Sequence, residues 1–369
     1  MSRKTFIFAG GGTGGHLYPG LSVAQQIVKL DPDALCVFAC SNREIDQKIL
    51  TKYLFAIFPQ VVKPITKSPT KIPAFLRAWF KSLSQAKQVL KDLKPNAVVG
   101  LGGFAAGPMV KIAAKQKIAT ALLNPDIVPG KANKYLASRV DKIFTQFQQT
   151  ASFFNTQNSA KTQLVGCPVR PELLEGSRQQ ACLEFDLDPS RKTLLVFGGS
   201  MLASSLTDAV CELAPDFKAL TENWQLLVIA GDKLADSTRQ ACQKHNLRAT
   251  ILNYCDKMQL AYACADFALC RGGAGTIAEL SATATPAVIL PYPHHADRQQ
   301  YKNAQDGKSQ GRFIVIDDHS DAKQNALSLR ESLVPVMNSA EKLADMTKSA
   351  KQSKQDQAAD IIARWLLEK

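Results

Sequence analysis

Two glycine-rich turns, about 260 residues apart, dominate what this chain can fold into. Each closes a short apolar run and opens a helical pattern. The first is Gly10-Gly11-Gly12-Thr13-Gly14-Gly15-His16, after Thr5 to Ala9. The second is Arg271-Gly272-Gly273-Ala274-Gly275-Thr276, after Phe267 to Cys270. A strand that ends in glycines and turns straight into a helix brings backbone N–H groups and the positive end of the helix dipole to one point. One such turn is weak evidence for an anion site. Two, in opposite halves of the chain, predict two α/β domains facing a cleft that holds a phosphate-bearing ligand.

The rest of the chain follows the same rhythm. Strands are expected at Thr5–Ala9, Ala34–Ala39, Asn96–Leu101, Ile118–Leu123, Lys142–Thr145 and Gln163–Val165. Helices are expected around 19–30, 43–51, 71–93, 106–116, 131–138 and 148–155. After a polar connector, roughly 167–192, strands recur at Thr193–Phe197, Gln225–Ala230, Ala249–Leu252, Phe267–Leu269, Ala287–Leu290 and Phe313–Ile316. Alternating βα units make parallel sheets covered by helices on both faces, so the expected class is two Rossmann-like, doubly wound parallel sheets. Ligands of such sheets bind beyond the carboxyl ends of the strands, where both glycine turns fall. A helical polar tail from about 322 ends in the apolar stretch Ile361 to Leu367.

A length of 369 residues suits two domains with separate cores. No apolar stretch reaches the ~18–20 residues of a bilayer span. The run Thr5 to Ala9 falls short of a signal-peptide core of ~7–15 residues, so the expected compartment is the cytoplasm. Nine cysteines, without a CxxC pair and odd in number, fit buried free thiols better than a metal ribbon or a disulfide framework. The net charge of +13 calls for an acidic partner. No nucleic-acid signature accompanies it, leaving phosphorylated small molecules and anionic lipid. Part of the excess lies in 71–91, where Phe75, Leu76, Trp79, Phe80 and Leu83 recur at helical spacing among Lys71, Arg77 and Lys81. That segment reads as a core-packed helix with a basic outer face, or as a helix lying on a membrane surface.

The first turn also satisfies GxGxxG, through Gly10, Gly12 and Gly15. A dinucleotide site then needs a carboxylate at the end of the second strand, and Cys36 to Arg43 provides none. Ser41 and Arg43 leave an NADP phosphate as the remaining dinucleotide alternative. His16, at the helix entrance just ahead of Pro19, points instead to a base beside an anion turn. Adjacent His294 and His295, with Asp297, invite a metal reading, but neighbouring side chains diverge on most backbones and no metal is expected.

Taken in order, Gly10 to Gly20, Gly100 to Pro108, Gly166 to Arg170, Phe197 to Ser200, Cys270 to Glu279 and Pro291 to Ala304 resemble the MurG family. These bacterial enzymes transfer N-acetylglucosamine from UDP-N-acetylglucosamine to the C4 hydroxyl of undecaprenyl-diphosphate-linked N-acetylmuramyl-pentapeptide, an inverting step of peptidoglycan synthesis. The resemblance implies the GT-B architecture, with an acceptor- and membrane-side domain over 1–166 and a UDP-sugar domain over 167–351. A terminal helix over about 352–369 would return to the first domain. It implies a peripheral protein on the cytoplasmic face of the inner membrane, touching anionic lipid through Lys71 to Lys91, with no cofactor.

On the matching positions, His16 becomes the base, and Thr13, Gly14 and Gly15 the acceptor-side turn. Gly273, Ala274, Gly275 and Thr276 meet the UDP diphosphate, and Glu279 the ribose. For Glu279 the spacing Thr276-x-x-Glu279 equally describes a capping box, and for Arg271 a structural ion pair is the alternative to a phosphate contact. Tyr254 and Cys255 flank the uracil. Arg170 and Ser200 match contacts to the diphosphate end, and Gln299 and Gln300 contacts to the sugar and nucleotide.

Three positions depart from the family pattern. Leu123-Asn124-Pro125-Asp126 stands where the family has His-Glu-Gln-Asn, so a carboxylate at Asp126 replaces an amide that contacts the donor sugar and cannot donate the same bond. Met201-Leu202 replaces Gln-Gly after Ser200, and Phe104 replaces a tyrosine. These leave two alternatives: a relative using another nucleotide sugar or acceptor, and a noncatalytic membrane-associated scaffold.

Overall fold

A computed structural model describes residues 3–12, 14–64, 68–198, 204–295, 297–354 and 356–369. The chain divides into two compact units, Met1–Arg170 with Asp356–Lys369, and Pro171–Gln355. In the first unit the strands are β1 (Thr5–Gly10), β2 (Leu35–Ser41), β3 (Ala56–Gln60), β4 (Ala97–Gly102), β5 (Ala119–Asn124), β6 (Lys142–Thr145) and β7 (Thr162–Leu164). They form one sheet, ordered β3-β2-β1-β4-β5-β6-β7, with every neighbouring pair parallel. In the second unit β8 (Lys192–Phe197), β9 (Trp224–Ile229), β10 (Ala249–Leu252), β11 (Ala265–Cys270), β12 (Ala287–Ile289) and β13 (Phe313–Val315) are ordered β10-β9-β8-β11-β12-β13, again all parallel. Both sheets are doubly wound, as the alternation of elements predicts.

Parallel strands buried on both faces explain the unbroken apolar runs. On β1, Phe6 and Phe8 pack into one helical layer while Ile7 and Ala9 pack into the opposite one. The first layer is completed by the C-terminal helix Ala358–Leu367, whose Ile362, Ala363 and Leu366 are buried in it. Trp365 meets the edge of Phe144 at 5.5 Å between ring centroids. Burying Ile362 and Leu366 contributes about 1.5–3 kcal/mol each, which ties this helix to the first unit.

The sequence pattern missed β3. Its Ala56-Ile57-Phe58-Pro59-Gln60 contains a proline, which a central strand would not accept. β3 is an edge strand, so the lost ladder hydrogen bond falls outside the sheet. The first helix begins at Gly14, five residues before the expected start, so Pro19 lies inside it and not at its entrance. The segment expected as a helix over 148–155 is a 3-10 stretch, Gln148–Phe153, followed by a short helix, Thr156–Ser159, capped by Asn155. The polar connector contains its own helix, Arg178–Phe185, started by a Ser177/Gln180 capping box.

The helix Ile72–Leu93 turns a stripe of small residues, Ala78, Ser82 and Ala86, together with Leu90, onto the core. Its larger apolar residues Ile72, Leu76 and Phe80 recur every fourth position and are exposed, Phe80 by 65%. Neither sequence reading fully anticipates this: the helix is core-packed, but through its small side chains. No helix among the described residues is long and apolar enough to cross a membrane. The nine cysteines are free thiols, and burial pushes those of Cys36, Cys40 and Cys264 up to about 12.

Candidate active site

Strand order reverses direction between β1 and β4 in the first unit and between β8 and β11 in the second. A crevice opens at the carboxyl ends of the strands at each such switch point. The first glycine turn leaves β1 there, beside a second glycine pair, Gly102-Gly103, that leaves β4. The second glycine turn leaves β11 beside Phe197-Gly198 at the end of β8. Sheet topology therefore places both sequence motifs where a doubly wound fold binds its ligands.

In the first unit His16 is the third residue of the helix that the turn opens. Its half-buried ring lies against Gly102, where an added Cβ would stand 3.0 Å from His16 Cδ2 and 3.2 Å from Nε2. Burial draws the imidazole below its ordinary value. The charges of Asp126 and Asp46 and a hydrogen bond with the Gly11 backbone act in the opposite sense. A histidine so placed is neutral near pH 7 and able to take a proton. Asp126 follows β5, on a loop held by Asn124, whose amide donates to the Asp126 carbonyl at 2.6 Å. Asn133 ties this loop to the helix Lys131–Leu136 by donating to Leu123 O at 3.0 Å and Asn124 Oδ1 at 2.9 Å.

The first turn already contains an anion. Asp46 is fully buried and accepts the Gly12 N–H at both carboxylate oxygens, 2.8 and 3.0 Å away, and the Ser41 hydroxyl as well. Arg43 lies over the Phe104 ring at 5.2 Å and donates to Gly12 O at 3.3 Å. Ser41 and Arg43, the pair left for an NADP phosphate, are thus occupied in shaping the turn. Gly14 and Gly15 begin the helix, and Thr13 lies outside the described residues. Arg170, which ends the first stretch of this unit, stacks on Tyr18 at 4.5 Å and reaches Tyr53 Oη at 3.4 Å.

In the second unit the helix Ala274–Thr283 opens from Gly273, its N-cap. The glycine at the cap has no side chain to close the first turn, and that turn carries no acidic residue. A Cβ added at Gly275 would meet nothing within 4 Å. A helix start built on glycines brings backbone N–H groups and the positive end of the helix dipole to this point of the sheet. The turn is held from behind: Gln300 Oε1 accepts the N–H groups of Gly272 (3.2 Å) and Tyr292 (2.9 Å), and Asn303 donates to Gly272 O at 3.3 Å. Gln300 and Asn303 lie on the helix Gln299–Ser309, whose first residue, Gln299, donates its N–H to Asp297.

Of the two roles open to Arg271, the geometry displays the ion pair. Its buried guanidinium meets Asp318 at 2.6 Å and donates to Leu290 O and Ser205 Oγ. Burial opposes the charge on Asp318, but donors from Asn325, Ser205, Arg271 and the Ser320 backbone outweigh it and hold the carboxyl below its usual value. The capping box at Thr276 does not form, because Thr276 is the third helical residue and Gly273 the cap. Glu279 Oε2 accepts instead from the hydroxyl of Tyr262 at 2.9 Å.

Tyr254 is 71% exposed and Cys255 buried, on the loop between β10 and the helix Met258–Cys264 that carries Tyr262. Ser200, Met201 and Leu202 lie outside the described residues. His294 and His295 both pack edge-on against Tyr292, and among the described residues no three metal-binding side chains cluster. Sequence reasoning missed Asp46, Asn133, Tyr262 and Asp318. Asp46, Tyr262 and Asp318 reach Gly12, Glu279 and Arg271 across 34, 17 and 47 positions of the chain, and Asn133 reaches back nine or ten.

Comparison with known proteins agrees with this arrangement. The Glycosyltransferase family 28 N-terminal domain matches residues 6–145 and the family's C-terminal domain residues 193–364. A protein of Citrifermentans bemidjiense is 31% identical over 98% of this chain and 99% of its own length. One from Carboxydothermus hydrogenoformans is 33% identical over 93% of this chain and 92% of its own. Both are named UDP-N-acetylglucosamine--N-acetylmuramyl-(pentapeptide) pyrophosphoryl-undecaprenol N-acetylglucosamine transferase. The crystal structure of Acinetobacter baumannii MurG superimposes with a TM-score of 0.76 at 22% identity, covering 99% of this chain and 100% of that one. Two doubly wound parallel sheets with this likeness define the GT-B class of glycosyltransferases. The chain belongs to glycosyltransferase family 28, in its MurG line.

Proposed function

We propose that this chain transfers N-acetylglucosamine from UDP-N-acetylglucosamine to the C4 hydroxyl of undecaprenyl-diphosphate-linked N-acetylmuramyl-pentapeptide, forming the β-1,4-linked disaccharide precursor of peptidoglycan. The observation that carries the reading is the glycine-built helix start at Gly273 to Thr276, at the switch point of the second sheet, with Glu279 one turn along. The backbone there takes the donor diphosphate and Glu279 the ribose hydroxyls. Gln300 and Asn303 fix the turn, and Arg271 supports it through Asp318. Tyr254 and Cys255 border the uracil, Gln299 the sugar side, and Arg170 and Ser200 the diphosphate end.

In the transfer the acceptor O4 forms a bond to the anomeric carbon from the face opposite the leaving group. The bond from that carbon to the diphosphate oxygen breaks, and its electron pair leaves with UDP, where the helix end stabilises the growing negative charge. The O4 proton passes to His16, neutral through burial and held against Gly102. Asp46 gives the first turn its own negative charge, so Gly14 and Gly15 approach the acceptor beside a buried carboxylate and not as an empty anion cradle; Thr13 is assigned to the same side by family position alone.

The chain would act as a peripheral protein on the cytoplasmic face of the membrane. Ile72, Leu76 and Phe80 form an exposed apolar stripe beside Lys71, Arg77, Lys81, Lys87 and Lys91. Such a stripe buries its apolar side chains among lipid tails while the lysines meet anionic headgroups.

Asp126, in place of an amide, favours testing donor choice directly. Calorimetric titration of the full chain with UDP-N-acetylglucosamine, UDP-N-acetylgalactosamine and UDP-glucose is expected to rank the first tightest. Tighter binding of either other donor would transfer the chain to a relative with different sugar specificity.

A further inference from the structure

The hydroxyl of Tyr262, on the neighbouring helix Met258–Cys264, donates to the Glu279 carboxylate at 2.9 Å from Oε2. Tyr262 is only 3% exposed. Its ring meets the edge of Phe197, the last residue of β8, with centroids 5.8 Å apart and planes at 87°. Phe197 stands at the carboxyl end of the strand next to β11, at the switch point itself. The phenol is therefore anchored in the sheet that carries the site, and its hydroxyl hydrogen is committed to one carboxylate oxygen.

A glutamate side chain on the second turn of a helix has three torsions, and freezing them costs binding energy each time a ligand is taken. A buried tyrosine removes that cost in advance. The tyrosine hydroxyl itself takes one of the carboxylate's about four lone-pair sites. A charge-assisted bond of this kind is stronger than a neutral one.

We propose that Tyr262 is a positioning residue for the nucleotide: it holds Glu279 in the rotamer that receives the two ribose hydroxyls, and so sets affinity for ribonucleoside diphosphates. The assignment rests on Glu279 as the ribose carboxylate. Tyr262 touches no ligand and takes no part in the transfer. Its loss should raise KM for the UDP-sugar and leave kcat within about twofold.

The test is a thermodynamic cycle on the full chain with Tyr262→Phe, Glu279→Gln and the double variant, titrated with UDP and with 2′,3′-dideoxyuridine diphosphate, with thermal unfolding as the check on folding. Tyr262→Phe should weaken UDP binding on the order of ten-fold, the worth of one hydrogen bond to a charged group. It should leave the dideoxy nucleotide unaffected and add little to Glu279→Gln. Equal weakening of both nucleotides, full additivity in the double variant, or unchanged UDP affinity in Tyr262→Phe would each overturn the positioning role while leaving Glu279 in place. Unchanged UDP affinity in Glu279→Gln would remove the ribose assignment itself, and the role of Tyr262 with it.

Discussion

Replacing Gly102 by alanine tests whether the contact between His16 and the β4 turn matters to turnover. Gly102 has φ +98°, a region L-residues seldom occupy, at a cost of about 1–3 kcal/mol. The new Cβ would also press on the imidazole from 3.0 and 3.2 Å, where carbon contacts are comfortable at about 3.5–4.0 Å. The ring must retreat by roughly half an ångström to an ångström. A misplacement near 1 Å of a group that must meet the acceptor hydroxyl costs on the order of 100-fold. Gly102→Ala is therefore expected to lose about 1–3 kcal/mol in urea unfolding of the first unit, and to drop in kcat by tens of times to about 100-fold. UDP affinity, a property of the second unit, should be unchanged. The assay is coupled UDP release at saturating donor and acceptor, with calorimetry for UDP. A folded Gly102→Ala protein with full kcat would show that His16 is not required in this position.

Asp126 and His16 make a prediction with a fixed sign. Asp126 raises the imidazole against the lowering effect of burial, so Asp126→Asn lowers it further. A base works in its neutral form, and the acid limb of kcat/KM should move to lower pH; movement to higher pH would place Asp126 outside His16's field. Asp318→Asn should strand Arg271 without its carboxylate and destabilise the second unit by about 3–5 kcal/mol, read by urea unfolding. Because the folded Asp318 carboxyl lies below its usual value, its contribution is complete above the unfolded value and is lost as pH falls through the folded one. The acid side of the stability profile should flatten in the variant, and an unchanged profile would refute the buried pair as a source of stability. Leu76→Asp with Phe80→Asp should abolish flotation with anionic vesicles while leaving turnover of a soluble acceptor analogue unchanged; undiminished flotation would refute the proposed lipid contact.

Much of the fold was legible because parallel strands buried on both faces leave unbroken apolar runs, and Phe6 to Ala9 or Leu194 to Phe197 are such runs. β3 was not, because Pro59 breaks its pattern and only an edge position makes the proline tolerable. The helix Ile72–Leu93 misled differently: its large apolar residues suggested the buried face, yet Ala78, Ser82 and Ala86 allow the close approach to the core and leave Phe80 outside. The glycine turns could be found from spacing, since backbone approach and a helix start leave a local signature. Their difference could not. Asp46 fills the first turn from another helix, whereas a first turn without acidic residues follows Gly273, and Asp46 reaches Gly12 only when β2 lies beside β1. Tyr262 and Asp318 were hidden for the same reason, as they meet Glu279 and Arg271 only through tertiary packing. Capping-box spacing at Thr276 pointed to a role that the helix start at Gly273 precludes.

The central claim is that two turns of one type serve two different substrates, a nucleotide sugar and a lipid-linked acceptor. It is tested most directly by following UDP release from UDP-N-acetylglucosamine by the purified full chain, with and without undecaprenyl-diphosphate-linked N-acetylmuramyl-pentapeptide in vesicles. The account predicts release that depends on the muramyl lipid and yields the β-1,4-linked disaccharide. Release at the same rate without that lipid, or none with it, would contradict the account.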